Sequence, residues 1–401
     1  MLHKNFHLSY CTNIHPATTW NGVFDTLKQY APPLKASLSP EAPFGIGLRI
    51  SGDESRELLE GENLSQFKQW LDDNHLYVFT INGFPYGAFH RERVKEDVHT
   101  PDWRTQDRVD YTVRLVDILA TLLPEFEREG SISTSPLSYA KWIDRSDDET
   151  WQLLTRNVIT VVQRMMQVRE ASGAFIHLDL EPEPNGLLQS STELVTYFED
   201  WLLKYGAAYL AQESDMSEDA ARTVLLDHVR VCFDTCHVAL MYEDPAEVLA
   251  RYDAVGIKVG KIQISSALRV PLPEDGAKRE ELAIALERFK ESTYLHQVIE
   301  QDAQGEINQY EDLPDALPHL STTEADEWRI HFHVPIQIEE YATFYATQDA
   351  ILKTFDLLKE RPFTRHLEVE TYTWEVLPED MKVGLQESIE RELKWVLDVF
   401  N

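Results

Sequence analysis

The stretch Phe175-Ile-His-Leu-Asp-Leu-Glu181-Pro-Glu-Pro184 alternates apolar residues with ionisable ones and then stops at two prolines. In a strand, successive side chains point to opposite faces, so His177, Asp179 and Glu181 share one face while Ile176, Leu178 and Leu180 share the other. Proline cannot continue a central ladder, so the strand is expected to end at Glu181 and place that carboxylate at a rim.

Four further stretches carry the same split: Val231-Cys-Phe-Asp234-Thr-Cys-His237, Lys261-Ile-Gln263-Ile-Ser265, Arg329-Ile-His331-Phe-His333-Val and His366-Leu-Glu368-Val-Glu370. Their apolar faces can pack on helices, which turns the ionisable faces toward a common interior. Several carboxylates cannot lie together there unneutralised, and a divalent cation is the simplest neutraliser. His177, Asp179 and Glu368 lie deeper along their strands and read as a buried ion network beneath the site.

Strands are expected at 8–14, 44–51, 77–82, 131–135, 174–181, 229–234, 260–265 and 366–370. Amphipathic helices are expected between them, for example through Trp151, Leu154, Val158, Val161, Met165 and Val168, and over 54–74, 107–127, 192–212, 244–254, 337–360 and 379–399. Eight strands alternating with helices give a single (β/α)8 TIM barrel over 1–401, whose site lies at the carboxyl ends of the strands. Residues 266–329 break the rhythm and read as a hairpin and helix inserted before the last strand.

Composition narrows the function. The formal charge is −32 over 401 residues, so most of the surface repels a polyanion and nucleic acid is not an expected partner. No apolar run reaches the roughly 20 residues of a spanning helix, and the opening residues lack the pattern of a signal peptide. With only Cys11, Cys232 and Cys236, no disulfide framework is implied. A soluble cytoplasmic chain is the expectation.

The ligand series on the last strands resembles the xylose-isomerase-like TIM barrel superfamily, which includes sugar isomerases, sugar 3-epimerases and endonuclease IV-type nucleases. In the epimerase branch a Glu, an Asp, a His and a Glu hold the metal; by that pattern Glu181, Asp234 and Glu370 match, and Gln263 replaces the histidine. Asp234-Thr-Cys-His237 looks like the superfamily's Asp-x-x-His element, and His331-Phe-His333 resembles its Asp-x-His element with His331 in place of the Asp. The nuclease branch also needs histidines where the third and fourth strands end at Asn82-Gly83 and Ser133-Thr-Ser-Pro136. More narrowly, Tyr10-Cys-Thr-Asn-Ile-His15-Pro, the phrase from Asn82 to His90, and Leu367-Glu-Val-Glu-Thr-Tyr-Thr-Trp374 resemble the metabolite traffic protein EboE family.

The resemblance implies one divalent ion (Mn2+, Mg2+ or Zn2+) held by Glu181, Asp234, Gln263 and Glu370. It implies an isomerase or epimerase acting on a small hydroxy-carbonyl metabolite or sugar through a metal-bound enediolate, with Glu181 and Glu370 exchanging the proton from opposite faces. His237 would shuttle a proton or orient substrate, and His331, His333, Asn82, His15 and Trp374 would line the pocket. The narrower resemblance implies service to secondary metabolism. Its alternative is a non-catalytic metabolite-binding component, self-associating or in complex with other ebo-cluster proteins.

Overall fold

The computed structural model describes residues 1–87, 95–290, 296–341, 343–372 and 383–400. Eight strands pair in parallel in chain order: Phe6–Tyr10, Phe44–Arg49, Leu76–Asn82, Glu129–Thr134, Phe175–Leu180, Val229–Asp234, Val259–Ile264 and His366–Val369. The eighth pairs with the first through His366 opposite His7. A parallel bridge from Cys11 to Gly47 joins the first to the second, so the sheet closes on itself. This is the α/β TIM barrel expected from the pattern. A two-residue strand, Leu2–His3, adds antiparallel to the first.

Helices clothe the outside, each for a local reason. Asp148–Ser172 starts where Asp147 accepts from the Glu149 N–H and ends at Gly173, whose φ of 75° is a left-handed conformation that glycine adopts without strain. Its residues Trp151, Leu154, Val158, Val161, Met165 and Val168 are all buried, as their spacing predicts. The run expected as one helix over 54–74 is two, Gly52–Leu58 and Asn63–Asp73, with Gly61 at φ 56° between them. Among the described residues, no helix is long and apolar enough to cross a membrane.

The expected helix, Gly276–Leu286, and hairpin, Val298–Gln301 with Ile307–Tyr310, are both present, but within a larger sheet. Strands Leu268–Pro271, Val298–Gln301, Ile307–Tyr310, Glu327–Ile330, Glu340–Tyr341 and Phe344–Ala346 form a six-stranded antiparallel sheet, and helix Gly276–Leu286 leaves from its first strand. The sheet reaches Ala346, well past residue 329, so the helix expected over 337–360 begins only at Gln348. Thr347 holds that boundary: its Oγ1 accepts from the Ala267 N–H at 2.9 Å and its N–H donates to the Ala267 carbonyl at 3.0 Å. His331 and His333 follow strand Glu327–Ile330 and lie in loop.

The barrel interior is polar where barrels of this kind are ordinarily filled by branched aliphatic side chains. His7, Ser9, Thr80, Ser131, His177, Asp179, Lys261, His366 and Glu368 are all buried. Two glycines make the room. A Cβ on Gly47 would fall 1.8 Å from Glu368 Oε1, and one on Gly260 would fall 2.0 Å from Asp179 Oδ1. Both would have to displace a buried carboxylate.

Candidate metal centre

The strand ends bring Glu181, Asp234 and Glu370 together: one carboxylate oxygen from each lies within 4.8 Å of the others. All three side chains are at least 95% buried, with exposures of 3%, 2% and 5%. Asp234 serves two roles at once. Its Oδ1 caps helix Thr235–Leu240, accepting from the Cys236 N–H at 2.8 Å and the His237 N–H at 3.1 Å, and also takes the Ser265 hydroxyl at 2.5 Å. Its Oδ2 has no hydrogen-bond partner, and neither has Glu181 Oε2. Buried carboxylate oxygens without donors are costly, and they point at the same space.

Glu370 is held from three sides. Its Oε1 accepts from Asn13 Nδ2 at 2.7 Å and Asn82 Nδ2 at 2.9 Å, and its Oε2 from Gln263 Nε2 at 2.5 Å. The oxygen of the Gln263 amide faces the Cys232 thiol instead. In this arrangement the amide of Gln263 positions Glu370 and keeps its one ligating atom turned away from the carboxylate trio.

Burial drives the electrostatics. It raises Glu181 well above the usual carboxylate range, and Glu370, Asp234 and Glu183 push it further. Glu370 rises to about 8 by burial and by the charges of Asp234 and Glu368, although Lys261 and the Gln263 hydrogen bond pull the other way. No cation of the chain pairs directly with this trio among the described residues.

The histidines form a wall beside the acids. His237 Nε2 lies 3.2 Å from His331 Nε2, and its Nδ1 lies 3.7 Å from Glu181 Oε1. His331 Nδ1 is 2.8 Å from Gln297 Oε1, and His333 Nδ1 is 3.0 Å from the Glu370 carbonyl. Burial lowers all three, His333 to about 4 and His331 well below its ordinary value. They are neutral imidazoles at physiological pH, the form that donates a lone pair. The oxygen trio shares Asp234 with a mixed set, Asp234/His237/His333, which in turn shares His333 with a nitrogen and sulfur set, Cys236/His331/His333.

A cleft of about 60 Å³ opens over these groups, lined among others by Asn82, Glu181, His237, His331, His333 and Glu370. Asn82 is thus in the site, but as a holder of Glu370. His15 lies apart from it. The first strand ends at Tyr10, short of the expected 14, and a 3-10 turn over Thr12–Ile14 carries His15 to a separate hollow, where its ring stacks on Tyr30 at 4.6 Å and meets the Tyr10 hydroxyl at 3.1 Å. Trp374 lies outside the described residues.

Two site residues, Glu183 and Cys236, escaped the sequence reading. Glu183, the second glutamate of the Glu-Pro-Glu-Pro run, lines the cleft and is raised well above its usual range by burial. Its Oε1 lies 3.5 Å from His99 Nε2, and burial lowers His99 to about 3. Asn13, expected at the end of the first strand as pocket lining or turn, reaches Glu370. Cys236, inside the Asp234-Thr-Cys-His237 run, was read as evidence against disulfides and nothing more.

No family model matches the chain, and no curated protein sequence does either. Solved structures of similar shape exist. An L-ribulose 3-epimerase is 11% identical, with 98% of this chain and 94% of that one covered and a TM-score of 0.49. The IolI protein with a zinc atom bound is 14% identical over 98% of each chain, with a TM-score of 0.47. A xylose isomerase-like TIM barrel protein from Mycobacterium smegmatis, in complex with magnesium, is 12% identical over 98% of this chain and 96% of that one, also with a TM-score of 0.47.

Proposed function

We propose that this chain is a divalent-metal-dependent isomerase or epimerase acting on a small hydroxy-carbonyl compound. The observation that carries the reading is the buried trio Glu181, Asp234 and Glu370, from three different strands, with Glu181 Oε2 and Asp234 Oδ2 unpartnered. Three acids with no cation paired to them among the described residues fit a divalent ion. All-oxygen donors suit Mg2+ or Mn2+, and an imidazole from the adjoining wall would shift preference toward Zn2+. When bound, such an ion supplies Lewis-acid polarisation of substrate oxygens and charge neutralisation.

The residues divide the remaining work. Glu370 is fixed by Asn13, Asn82 and Gln263, so it keeps one orientation toward the reacting carbon. Glu181 retains an unpartnered oxygen and serves as the base that takes the proton next to the carbonyl. Its raised pKa suits proton exchange near neutral pH. His237, 3.7 Å from Glu181, orients a substrate hydroxyl or passes the proton on. Burial of the whole group excludes bulk water from the exchange.

A second reading has its own support: a metabolite-binding component of the EboE type in the cytoplasm, without turnover. Both ends of the Gln263 amide are engaged within the protein, and a cleft of about 60 Å³ is small beside the roughly 300–1,000 Å³ of ordinary ligand pockets. Solvent exchange separates the two. In D2O with Mn2+ present, the wild-type chain is expected to place deuterium at the carbon beside the carbonyl of a ketose substrate, and Glu181→Gln to place none. Binding of the ketose with no label in either protein would replace the isomerase reading by the carrier one.

A further inference from the structure

We propose that Cys236, His331 and His333 form a second metal site, a thiolate-containing one that takes Zn2+, beside the oxygen-donor trio and separate from it. The three side chains come from two segments: Cys236 from the first turn of helix Thr235–Leu240, and His331 and His333 from the loop after strand Glu327–Ile330. One donor atom from each lies within 4.8 Å of the others, and all three are buried. Tetrahedral Zn2+ with bonds of ~2.0–2.3 Å needs donor separations of about 3.3–3.8 Å, so modest rotamer shifts complete the site.

Hydrogen bonding beneath the histidines supplies the independent argument. Gln297 presents its oxygen to His331 Nδ1 at 2.8 Å, while its own NH2 faces the Pro184 carbonyl at 3.5 Å. The Glu370 carbonyl stands 3.0 Å from His333 Nδ1. An oxygen of either kind only accepts, so both Nδ1 atoms carry the proton and both Nε2 atoms carry the lone pair. An acceptor oxygen behind Nδ1 is how protein sites orient imidazoles toward a metal.

His237 stays outside this set and keeps its place beside Glu181, with its Nε2 3.2 Å from His331 Nε2, and the fourth position is left to solvent, as in Zn2+ sites with three protein ligands. Sulfur and imidazole select a softer ion than the oxygen trio does. Loading releases one proton, from the Cys236 thiol to solvent, with no change of oxidation state.

The test uses the chelator-stripped full-length chain, titrated with Co2+ as the spectroscopic probe. A thiolate-to-cobalt charge-transfer band is expected in the wild type and in the Glu181→Gln, Glu370→Gln double variant. It is expected to vanish in Cys236→Ser, which should still bind Mn2+ at the carboxylates. No band at saturating Co2+, or a band that persists in Cys236→Ser, overturns the proposal. Should Cys236→Ser fail to fold, Gln297→Leu decides: a loss of roughly tenfold or more in Co2+ affinity is expected, and unchanged affinity overturns the site. Because the double variant abolishes only the oxygen site, failure of the proposed isomerase chemistry leaves the cobalt band in place, and the reverse.

Discussion

Two layers of the same barrel, one pleat apart on the same strands, treat buried charge in opposite ways. In the lower layer Glu368, Asp179 and Glu129 each have a basic neighbour, although Asp179 Oδ2 and Glu368 Oε1 also keep no hydrogen bond. Lys261 and Glu368 form an ion pair at 0% and 1% side-chain exposure, His177 meets Asp179 at 2.6 Å, and Arg230 meets Glu129 at 2.8 Å. Two residues further along, Glu370 replaces Glu368, Gln263 replaces Lys261 and Glu181 replaces Asp179, and the compensation disappears. The lower layer balances itself, while the upper layer is complete only with something added. An acid in the first layer holds the fold, and an acid in the second works against it until a cation arrives.

The largest expected effect breaks the lower layer. Lys261→Met leaves Glu368 buried and unpaired and should destabilise the chain by about 3–5 kcal/mol, measured by urea unfolding. Lys261→Met combined with Glu368→Leu should recover most of that loss. If the double variant is no better than the single one, the pair is not what neutralises this layer. Gly260→Ala should cost less, about 1–3 kcal/mol, because its Cβ would meet Asp179 at 2.0 Å and the carboxylate must shift.

The upper layer should answer in the other direction. Without divalent metal, Glu181→Gln is expected to stabilise the chain at neutral pH by about 1–2 kcal/mol, while abolishing the stabilisation that added Mn2+ gives the wild type. A destabilised metal-free variant would mean that Glu181 is already compensated, contrary to its unpartnered Oε2.

The strands and the acids were legible because each barrel strand is long enough to show its own alternation, as in Phe175–Leu180 followed by Glu181. The inserted sheet was not. Strands such as Glu340–Tyr341 and Phe344–Ala346 have two and three residues, too few for any period, and they exist only through pairing with Leu268–Pro271. Gln263 was legible as a departure from the metal-ligand pattern. Its use was not, since the Cys232 thiol and Glu370 that hold its two ends lie on neighbouring strands, and register is a long-range property. Glu183 and Gln297 were hidden for the same reason: each is ordinary in its local run and matters through a partner far away in the chain.

The smallest expected effect is a slope with pH, and its sign separates the layers. Glu370 has its folded pKa raised to about 8 from 4.5, so what it contributes is present below pH 4.5 and lost as pH rises through 8. Glu129 is shifted the other way: burial opposes its charge, but His177 and Arg230 outweigh burial and lower it, so its contribution is present above 4.5 and lost in acid. Metal-free chain should therefore lose stability on both sides of a mildly acidic optimum. Saturating Mn2+ competes with protons for the upper acids, so it should stabilise most at the alkaline end and remove that limb while leaving the acid limb unchanged. Thermal melts across pH with and without Mn2+ check this. An alkaline limb that survives saturating metal would show that the ion does not sit on Glu370, and would move the centre toward the histidine wall.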